Sequence, residues 1–310
     1  MTALAPAALQ SAPATSSPGG GGIRSRSLTW MALPALALFV AFGVVPLLGV
    51  LALSFTEWDG IGQIRPAGFD SWRAVLTDPG LPHALWVTFL VMALSWIAQT
   101  PMSILLGTFL AGHQRYREVL AVLYFIPLLL SSAALAITFK ALLDPNFGLG
   151  AGLKLPILAQ DWLGRPNLAM GVVIFVVSWQ FIPFHSLIYQ GGVRQIPTTM
   201  YEAALIDGAG RIRQFFSITL PQLKYTIITS STLMIVGSLT FFDLIFVLTA
   251  GGPGDATRVL ALDMYIRGFQ ANLMGPASAI ACILVLVGLG LALLLRRLGG
   301  SSTASQLEGA

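Results

Sequence analysis

The chain alternates between long apolar runs and short clusters of charged residues. The six runs cover residues 28–55, 84–112, 119–139, 168–193, 225–249 and 268–295. A bilayer core about 30 Å thick is crossed by roughly 20 helical residues, so each run is long enough to span it. Because backbone groups in lipid must pair within their own segment, each run is expected to be an α-helix. The pattern predicts an all-α membrane protein with six transmembrane helices.

Composition supports this division. Of the 310 residues, 55% are hydrophobic and 10% are charged, whereas soluble domains carry about 25% charged residues. Residues 1–27 are predicted to be a disordered tail, because their first 22 residues are mostly Ala, Pro, Ser and Gly. Residues 28–297 form the predicted transmembrane domain, and residues 298–310 a flexible C-terminal tail. The first apolar run exceeds the roughly 7–15-residue core of a signal peptide and is expected to remain as an anchor.

Basic residues indicate the orientation of the helices. With the N-terminus in the cytoplasm, ten of the 17 Lys and Arg residues fall on the cytoplasmic side. These ten are Arg24, Arg26, Arg115, Arg117, Arg194, Arg211, Arg213, Lys224, Arg296 and Arg297. Cytoplasmic loops are enriched in Lys and Arg, most strongly next to helix ends. Both termini and the 194–224 loop are therefore predicted to be cytoplasmic.

The 194–224 loop has a pattern of its own. Thr199 and Glu202 match the T-x-x-E capping box, which predicts a helix that begins there. Gly208 and Gly210 are expected to end it, since glycine takes a left-handed cap without steric cost. A second short helix is predicted over 211–220, and Pro221 precedes the fifth apolar run. The loop should form a helix–turn–helix on the inner membrane face.

Several function classes lack support in the sequence. The net charge of +4 has no basic stripe with interleaved aromatics, so nucleic acid is not an expected partner. The three histidines, His83, His113 and His185, fall in different segments without metal-ligand spacing. Cys282 is the only cysteine, so no intrachain disulfide can form. The chain also lacks the G-x-x-x-x-G-K-[ST] phosphate loop and the H-E-x-x-H and G-x-S-x-G catalytic motifs.

The 194–224 loop resembles the EAA motif of ABC importer permeases. Glu202-Ala203-Ala204 is followed after three residues by Gly208, and after nine more by Ile218-x-Leu220-Pro221. The motif also occurs before a late transmembrane helix, as in that family. This resemblance implies a type I ABC importer permease fold in the plasma membrane of a prokaryote.

A second region is similar to carbohydrate permeases of the maltose and glycerol-3-phosphate type. Asp243 begins D-x-x-x-x-L-T-x-G-G-P, which ends at Pro253. Further matching positions are Pro46, Ser54, Phe55, Trp58, Thr257, Tyr265, Phe269, Gly275, Ser278 and Ala279. The resemblance covers roughly residues 28–297. One departure is Ala250, where a third glycine is usual, and little consequence is expected from it.

The resemblance implies a set of partners. A second, usually different, permease would complete the pathway, two copies of an ABC ATPase would bind ATP and Mg, and an extracytoplasmic binding protein would deliver a sugar or a polyol or glycerol phosphate. This chain would be a transport subunit, not an enzyme, and would bind no cofactor. The loop helix would couple it to the ATPase. The coupling positions are Tyr201, Glu202, Ala203, Ala204, Asp207, Gly208, Ile218, Leu220 and Pro221.

Four polar residues of the apolar runs, with two aromatic residues beside them, are the candidates for the substrate pathway. Polar residues are costly in lipid and usually face a cavity or the bundle interior. In the predicted topology six candidates lie near the membrane midplane or outward of it: Trp179, Gln180, Ser238, Thr240, Phe242 and Asp243. Hydrogen bonding between helices could instead explain Gln180, and bonds to their own helix could explain the two hydroxyls. Hydrogen bonds to loop backbone near the outer end could give Asp243 a structural role. Gln99, His185 and Gln190 are weaker candidates.

Three alternatives remain open at this stage, one of which is a structural scaffold or receptor. The chain could be a permease for another polar solute, since the pocket also depends on the second permease. It could also be an intramembrane enzyme, although no paired catalytic groups occur at one membrane depth.

Overall fold

The computed structural model describes residues 30–112 and 114–299. The predicted N-terminal tail and most of the C-terminal tail therefore lie outside the described residues. The chain divides into two compact units, residues 1–48 and 49–310. In the first unit, the chain is helical from Trp30 through residue 48, with a π-helical turn at Val40–Val44.

We number thirteen α-helical segments of the described residues in chain order. They are α1 (Leu33–Leu53, including the π-turn), α2 (Asp70–Leu76), α3 (Gly80–Leu110), α4 (Arg115–Leu129), α5 (Ser132–Leu142), α6 (Leu149–Gly152), α7 (Pro166–Arg194), α8 (Thr198–Ile206), α9 (Arg211–Gln214), α10 (Lys224–Ser238), α11 (Asp243–Thr249), α12 (Leu260–Tyr265) and α13 (Met274–Gly299). Further π-turns at Phe215–Thr219 and Ile266–Gln270 continue α9 and α12, and the helical turn Leu220–Gln222 precedes α10. A small hairpin of β1 (Thr56–Glu57) and β2 (Arg65–Pro66) is an addition to the predicted all-α fold.

Among the described residues, four helices are long and apolar enough to cross a membrane, namely α1, α3, α7 and α13. The third and fifth predicted runs differ from single straight helices. The third is divided into α4 and α5, which meet at 94°, and the fifth into α10 and α11, which meet at 53°. Hydropathy records the apolar character of a run but not a change of direction within it. The structure therefore has four candidate spans, or six if each bent pair counts as one.

The centre of the second unit is formed by α3, α7 and α10. Ser103 lies 3.4 Å from the Ile182 carbonyl and Gln190 donates to the Leu110 carbonyl at 2.8 Å, so α3 and α7 run parallel. They approach closely at Gly107, where a Cβ would come within 2.6 Å of the Ser186 carbonyl oxygen. Small residues allow helices in membranes to pack at such short distances.

Helix α10 runs antiparallel to α7. Thr226 lies beside Gly192 near the start of α10, whereas His185 meets Ser230 one turn further along, at 3.0 Å. Beyond the end of α10, Phe241 stacks on Phe181 with ring centroids 5.5 Å apart. Alternating directions of this kind are consistent with the predicted order of spans.

A charged cluster lies at the N-terminal end of α3, and we call Asp78, Arg258, Asp263 and Arg267 the Asp263 cluster. The Asp263 side chain is 3% exposed and accepts from Arg258 Nη2 at 2.7 Å and Arg267 Nε at 2.8 Å. Arg267 also reaches Asp78, at 2.5 Å. The Gly80 backbone N–H, and after it Arg267, lower the pKa of Asp78. Two arginines and two carboxylates thus connect α12 to the start of α3.

Candidate functional site

The 194–224 loop folds as the two predicted short helices, α8 and α9. The predicted capping box at Thr199 is wrong, because the N-cap residue of α8 is Pro197, two residues earlier, and it makes no side-chain capping hydrogen bond. Pro197 has φ −58° and ψ 131°, the extended conformation that proline favours at a helix entrance. Thr199 therefore lies within the first turn. A local pattern of four residues could not distinguish these two starting points.

Gly208 ends α8 as predicted. Its φ of +74° is in the left-handed region, and the Ala209 N–H donates to the Ala204 carbonyl at 2.8 Å. This bond pairs one of the carbonyl groups that the helix end leaves free. Gly210, also predicted to end the helix, instead has φ −68° and is the N-cap residue of α9.

Helix α8 presents apolar side chains to solvent. Met200, Leu205 and Ile206 are 37%, 63% and 88% exposed. Glu202, Ala203, Asp207 and Gly208 are also exposed, and Ala204 is half-buried. Because burying such side chains is favourable, an exposed apolar surface of this kind indicates a partner.

The remaining motif residues attach α8 to the membrane helices. The Tyr201 hydroxyl lies 2.9 Å from Thr219 Oγ1, which joins α8 to the π-turn after α9. Ile218 in this π-turn and Leu220 directly after it are half-buried. Leu220 packs against the cluster of Ile104, Tyr189 and Leu223. Tyr201 and Leu220 therefore connect α8 and the segment after α9 to a cluster that includes residues of α3 and α7.

A cavity of about 370 Å³ is lined by residues of α3, α4, α5, α7, α10 and α11, and it lies beside Gln99, about two thirds of the way along α3. Five polar side chains line it: Gln99, Ser132, His185, Thr240 and Asp243. The aromatic rings of Phe181, Phe184 and Phe241 form part of the same wall. Hydrogen-bonding groups beside aromatic faces provide the two kinds of contact that a sugar ring needs. All of these lining residues belong to this one chain.

Two of the six predicted pathway residues line this cavity, Thr240 and Asp243. Asp243 is exposed at the start of α11, and the Thr240 hydroxyl donates to the Gly237 carbonyl at 2.7 Å. The break between α10 and α11 places both of them there. Gln99 and His185, the weaker candidates, also line it.

The other four predicted pathway residues lie elsewhere. Gln180 is buried and does not line the cavity. Its amide lies 3.2 Å from Ser132 Oγ and 3.4 Å from the Leu130 carbonyl, so it bonds α7 to the break between α4 and α5. Ser238 is buried and donates to the Ile235 carbonyl. Trp179 packs against Phe139. Phe242 stacks on Phe246 and contacts Tyr265 in the core. Helix packing accounts for the contacts of these four side chains.

The D-x-x-x-x-L-T-x-G-G-P segment folds as a tightly bonded loop after α11. The Thr257 hydroxyl donates to the Gly252 carbonyl at 3.0 Å and lies 2.7 Å from the Thr249 hydroxyl oxygen. Ala250, where a third glycine is usual, has φ +52°. An L-residue there costs about 1–2 kcal/mol, so the expectation of little consequence overlooked a left-handed position.

Sequence reasoning missed the Asp263 cluster. Its members are spread over 190 positions of the sequence and belong to no local motif, so only the fold brings them together. A local indication was the spacing of four residues between Asp263 and Arg267, which places two side chains on the same face of a helix.

Known proteins share this sequence and fold. Residues 100–300 match the family described as "Binding-protein-dependent transport system inner membrane component". The chain belongs to this family. The permease is 32% identical to the probable ABC transporter permease protein YurN of Bacillus subtilis, over 84% of this chain and 92% of that protein. It is 30% identical to the multiple sugar-binding transport system permease protein MsmF of Streptococcus mutans, over 84% and 90% of the two chains.

A solved structure has a similar fold. A chain of the bacterial alginate ABC transporter, crystallised in complex with an alginate pentasaccharide-bound periplasmic protein, superposes with a TM-score of 0.76. The match covers 89% of the permease and 96% of that chain, at 24% identity. The family match and the two named relatives confirm the resemblance to ABC importer permeases predicted from the sequence, and the solved structure shows the same fold.

The left-handed cap at Gly208 leads to a prediction. We expect Gly208→Val to lower ATP-driven uptake, because a β-branched residue at positive φ strains the end of α8 by about 1–2 kcal/mol. The matched control is Gly210→Val, at φ −68°. A Cβ at either glycine has no atom of the described residues within 4 Å, so steric overlap does not distinguish the two. Uptake into proteoliposomes is the measurement, and equal activity of both variants would contradict the cap's importance.

Proposed function

We propose that this permease is one of two transmembrane subunits of an ABC importer for a carbohydrate. An extracytoplasmic binding protein delivers the sugar, and a pair of ATPase subunits on the cytoplasmic side drives transport. The observation that carries the proposal is the motif loop, which forms an exposed apolar helix, α8, between two candidate spans. Since the chain has no phosphate loop, free energy from ATP has to arrive through such a contact.

The proposed topology has six spans, with both bent helix pairs counted as one each and both termini in the cytoplasm. Its support is the excess of Lys and Arg on that side and the alternating directions of α7 and α10. In this topology α8 and α9 are cytoplasmic, and the Asp263 cluster lies at the outer ends of the helices. The 31 residues of α3 separate the two by about 46 Å along the helix axis.

The proposed substrate class rests on the cavity and on one relative. Its wall offers a carboxylate, an amide and hydroxyls beside three phenylalanine rings. The relative MsmF belongs to a system named for binding multiple sugars. The cavity wall of the second permease would complete the site and contribute to the choice of sugar.

Transport by the assembled importer tests this proposal. We expect Asp243→Asn and Thr240→Val each to lower sugar uptake by about tenfold, the effect of losing one good hydrogen bond to a substrate. Binding of the ATPase should be unchanged, because both residues are remote from α8. Controls are Asp70→Asn, an exposed carboxylate, and Thr138→Val, whose hydroxyl also donates to its own helix.

Uptake of radiolabelled sugars and ATPase activity with the sugar-loaded binding protein are the measurements. Normal uptake in both variants would remove the cavity from the pathway while leaving the importer assignment intact. If a panel of sugars fails to stimulate the ATPase and another class of solute succeeds, the substrate class is wrong.

A further inference from the structure

A second cavity, of about 300 Å³, lies where the C-terminal end of α3 meets α8 and α9. We call it the arginine pocket. Its wall includes Thr108, Gly112, Arg117, Tyr201, Arg211 and Gln214. These residues come from four parts of the chain: the end of α3, the start of α4, and the helices α8 and α9. The cavity of about 370 Å³ beside Gln99 is a separate site, lined by other residues.

The arginine pocket is positively charged. Two guanidinium groups line it, and no carboxylate is among the described residues of its wall. Within residues 30–112 and 114–299, neither arginine forms an ion pair with Asp or Glu. By contrast, Arg258 and Arg267 at the other end of α3 are both paired. Two cations that share a pocket without a counter-charge favour the binding of an anion.

Arg117 is held in place before any ligand arrives. Its Nη1 donates to the Phe109 carbonyl. Its Nε donates to the Tyr116 hydroxyl at 3.2 Å. The guanidinium also lies over the Phe109 ring, 4.6 Å from its centroid. A guanidinium has five N–H donors, so the others remain available. A fixed cation loses less conformational entropy on binding than a free one.

The rest of the pocket supplies neutral donors and defines its edge. The Tyr201 hydroxyl, bonded to Thr219 Oγ1 at 2.9 Å, can donate or accept. Gln214 is also fixed, because its amide donates to the Ala209 carbonyl at 2.8 Å. Arg211 is exposed at the start of α9 and can move toward a ligand from the solvent side.

We propose that the arginine pocket binds a phosphate group. Arginine recognises phosphate oxygens through parallel N–H donors, and two arginines with a hydroxyl form a complete set for such a group. The phosphate could belong to the headgroup of an anionic lipid or to a soluble phosphate. The pocket's place at the end of a membrane-spanning helix favours the lipid, since basic pockets between such helix ends bind anionic headgroups. This site is independent of the sugar that the permease carries.

A bound phosphate would connect two parts of the permease. Arg117 belongs to the membrane helices, whereas Arg211 and Tyr201 belong to the loop that carries α8. One anion between them would hold the loop against the end of α3.

Native mass spectrometry of the assembled, detergent-purified transporter tests the proposal. Phosphatidylglycerol is titrated in one arm, diacylglycerol without phosphate in a second, and inorganic phosphate in a third. We expect Arg211→Gln to weaken phosphatidylglycerol binding by about tenfold, and Arg117→Gln combined with it by more, since each removes a charge-assisted bond. Arg213→Gln is the matched control, because this exposed arginine of α9 lies outside the pocket.

The outcomes distinguish a lipid phosphate from a soluble phosphate, or overturn the proposal. Arginine-dependent retention of phosphatidylglycerol but not of diacylglycerol supports a lipid phosphate, and arginine-dependent binding of inorganic phosphate alone supports a soluble one. Equal retention of both lipids would overturn the proposal. So would equal effects of Arg211→Gln and Arg213→Gln. Because Arg211 is exposed, its replacement leaves the fold intact and tests the site without the double variant.

Discussion

Replacing Ile206 with Asp should release the ATPase from the permease and reduce uptake on the order of a hundredfold. Ile206 is 88% exposed on α8, beside the exposed Leu205. If this surface is buried in the assembled importer, the isoleucine contributes about 1.5–3 kcal/mol to binding. An unpaired carboxylate at the same place adds a desolvation cost of its own. Insertion into the membrane should be unaffected, because no apolar run is changed.

The matched control for Ile206→Asp is Ile61→Asp. Ile61 is 94% exposed in the loop between β1 and β2, far from α8. Both variants place a charge at a solvent-exposed isoleucine, so any general effect on solubility is common to them. Co-purification of the ATPase and uptake into proteoliposomes are the measurements. Full retention of the ATPase in Ile206→Asp would contradict the docking role of α8.

Removing the charge of Asp263 should be the most destabilising single change among the acidic residues of the Asp263 cluster. Asp263→Asn keeps the side-chain shape but leaves Arg258 and Arg267 without their shared buried partner. Breaking a buried ion pair from one side costs about 3–5 kcal/mol. Since the two arginines are 27% and 17% exposed, we expect a value near the lower end. The thermal unfolding midpoint in detergent should fall.

Two other aspartates calibrate this result. Asp78→Asn removes a partner that is 30% exposed, so a smaller decrease is expected. Asp70 and Arg73 form an ion pair at 3.8 Å with side chains 78% and 77% exposed, and Asp70→Asn should cause no measurable change. An unfolding midpoint in Asp263→Asn equal to that of Asp70→Asn would show that burial of the cluster contributes little.

The sequence predicted a helix of this fold well where a single physical cause determines that helix. Apolar runs long enough to cross a bilayer predicted α3 and α7 to within about four residues, because burial in lipid dominates every local preference there. The EAA motif predicted α8, and its glycine predicted the positive φ at Gly208. Capping was less certain, because Pro197 and Thr199 compete for the same helix start.

The candidate site was predicted only in part. Thr240 and Asp243 line the cavity, whereas Gln180 and Ser238 are engaged with helix backbone or neighbouring hydroxyls. Sequence position gives the depth of a polar residue in the membrane but not the face of the helix on which it lies. The bends after α4 and α10 change those faces, and each depends on contacts from distant helices.

The bend between α4 and α5 affects how mutations at Gln180 should be interpreted. Helix α4 has 15 residues and is about 22 Å long, shorter than a bilayer core of about 30 Å. In the proposed topology the bend therefore lies within the hydrocarbon, where the Leu130 carbonyl needs a partner. The Gln180 amide is positioned to be that partner. A variant such as Gln180→Leu should then impair transport by disturbing this joint, and a genetic screen would score it as a substrate contact although it touches no sugar.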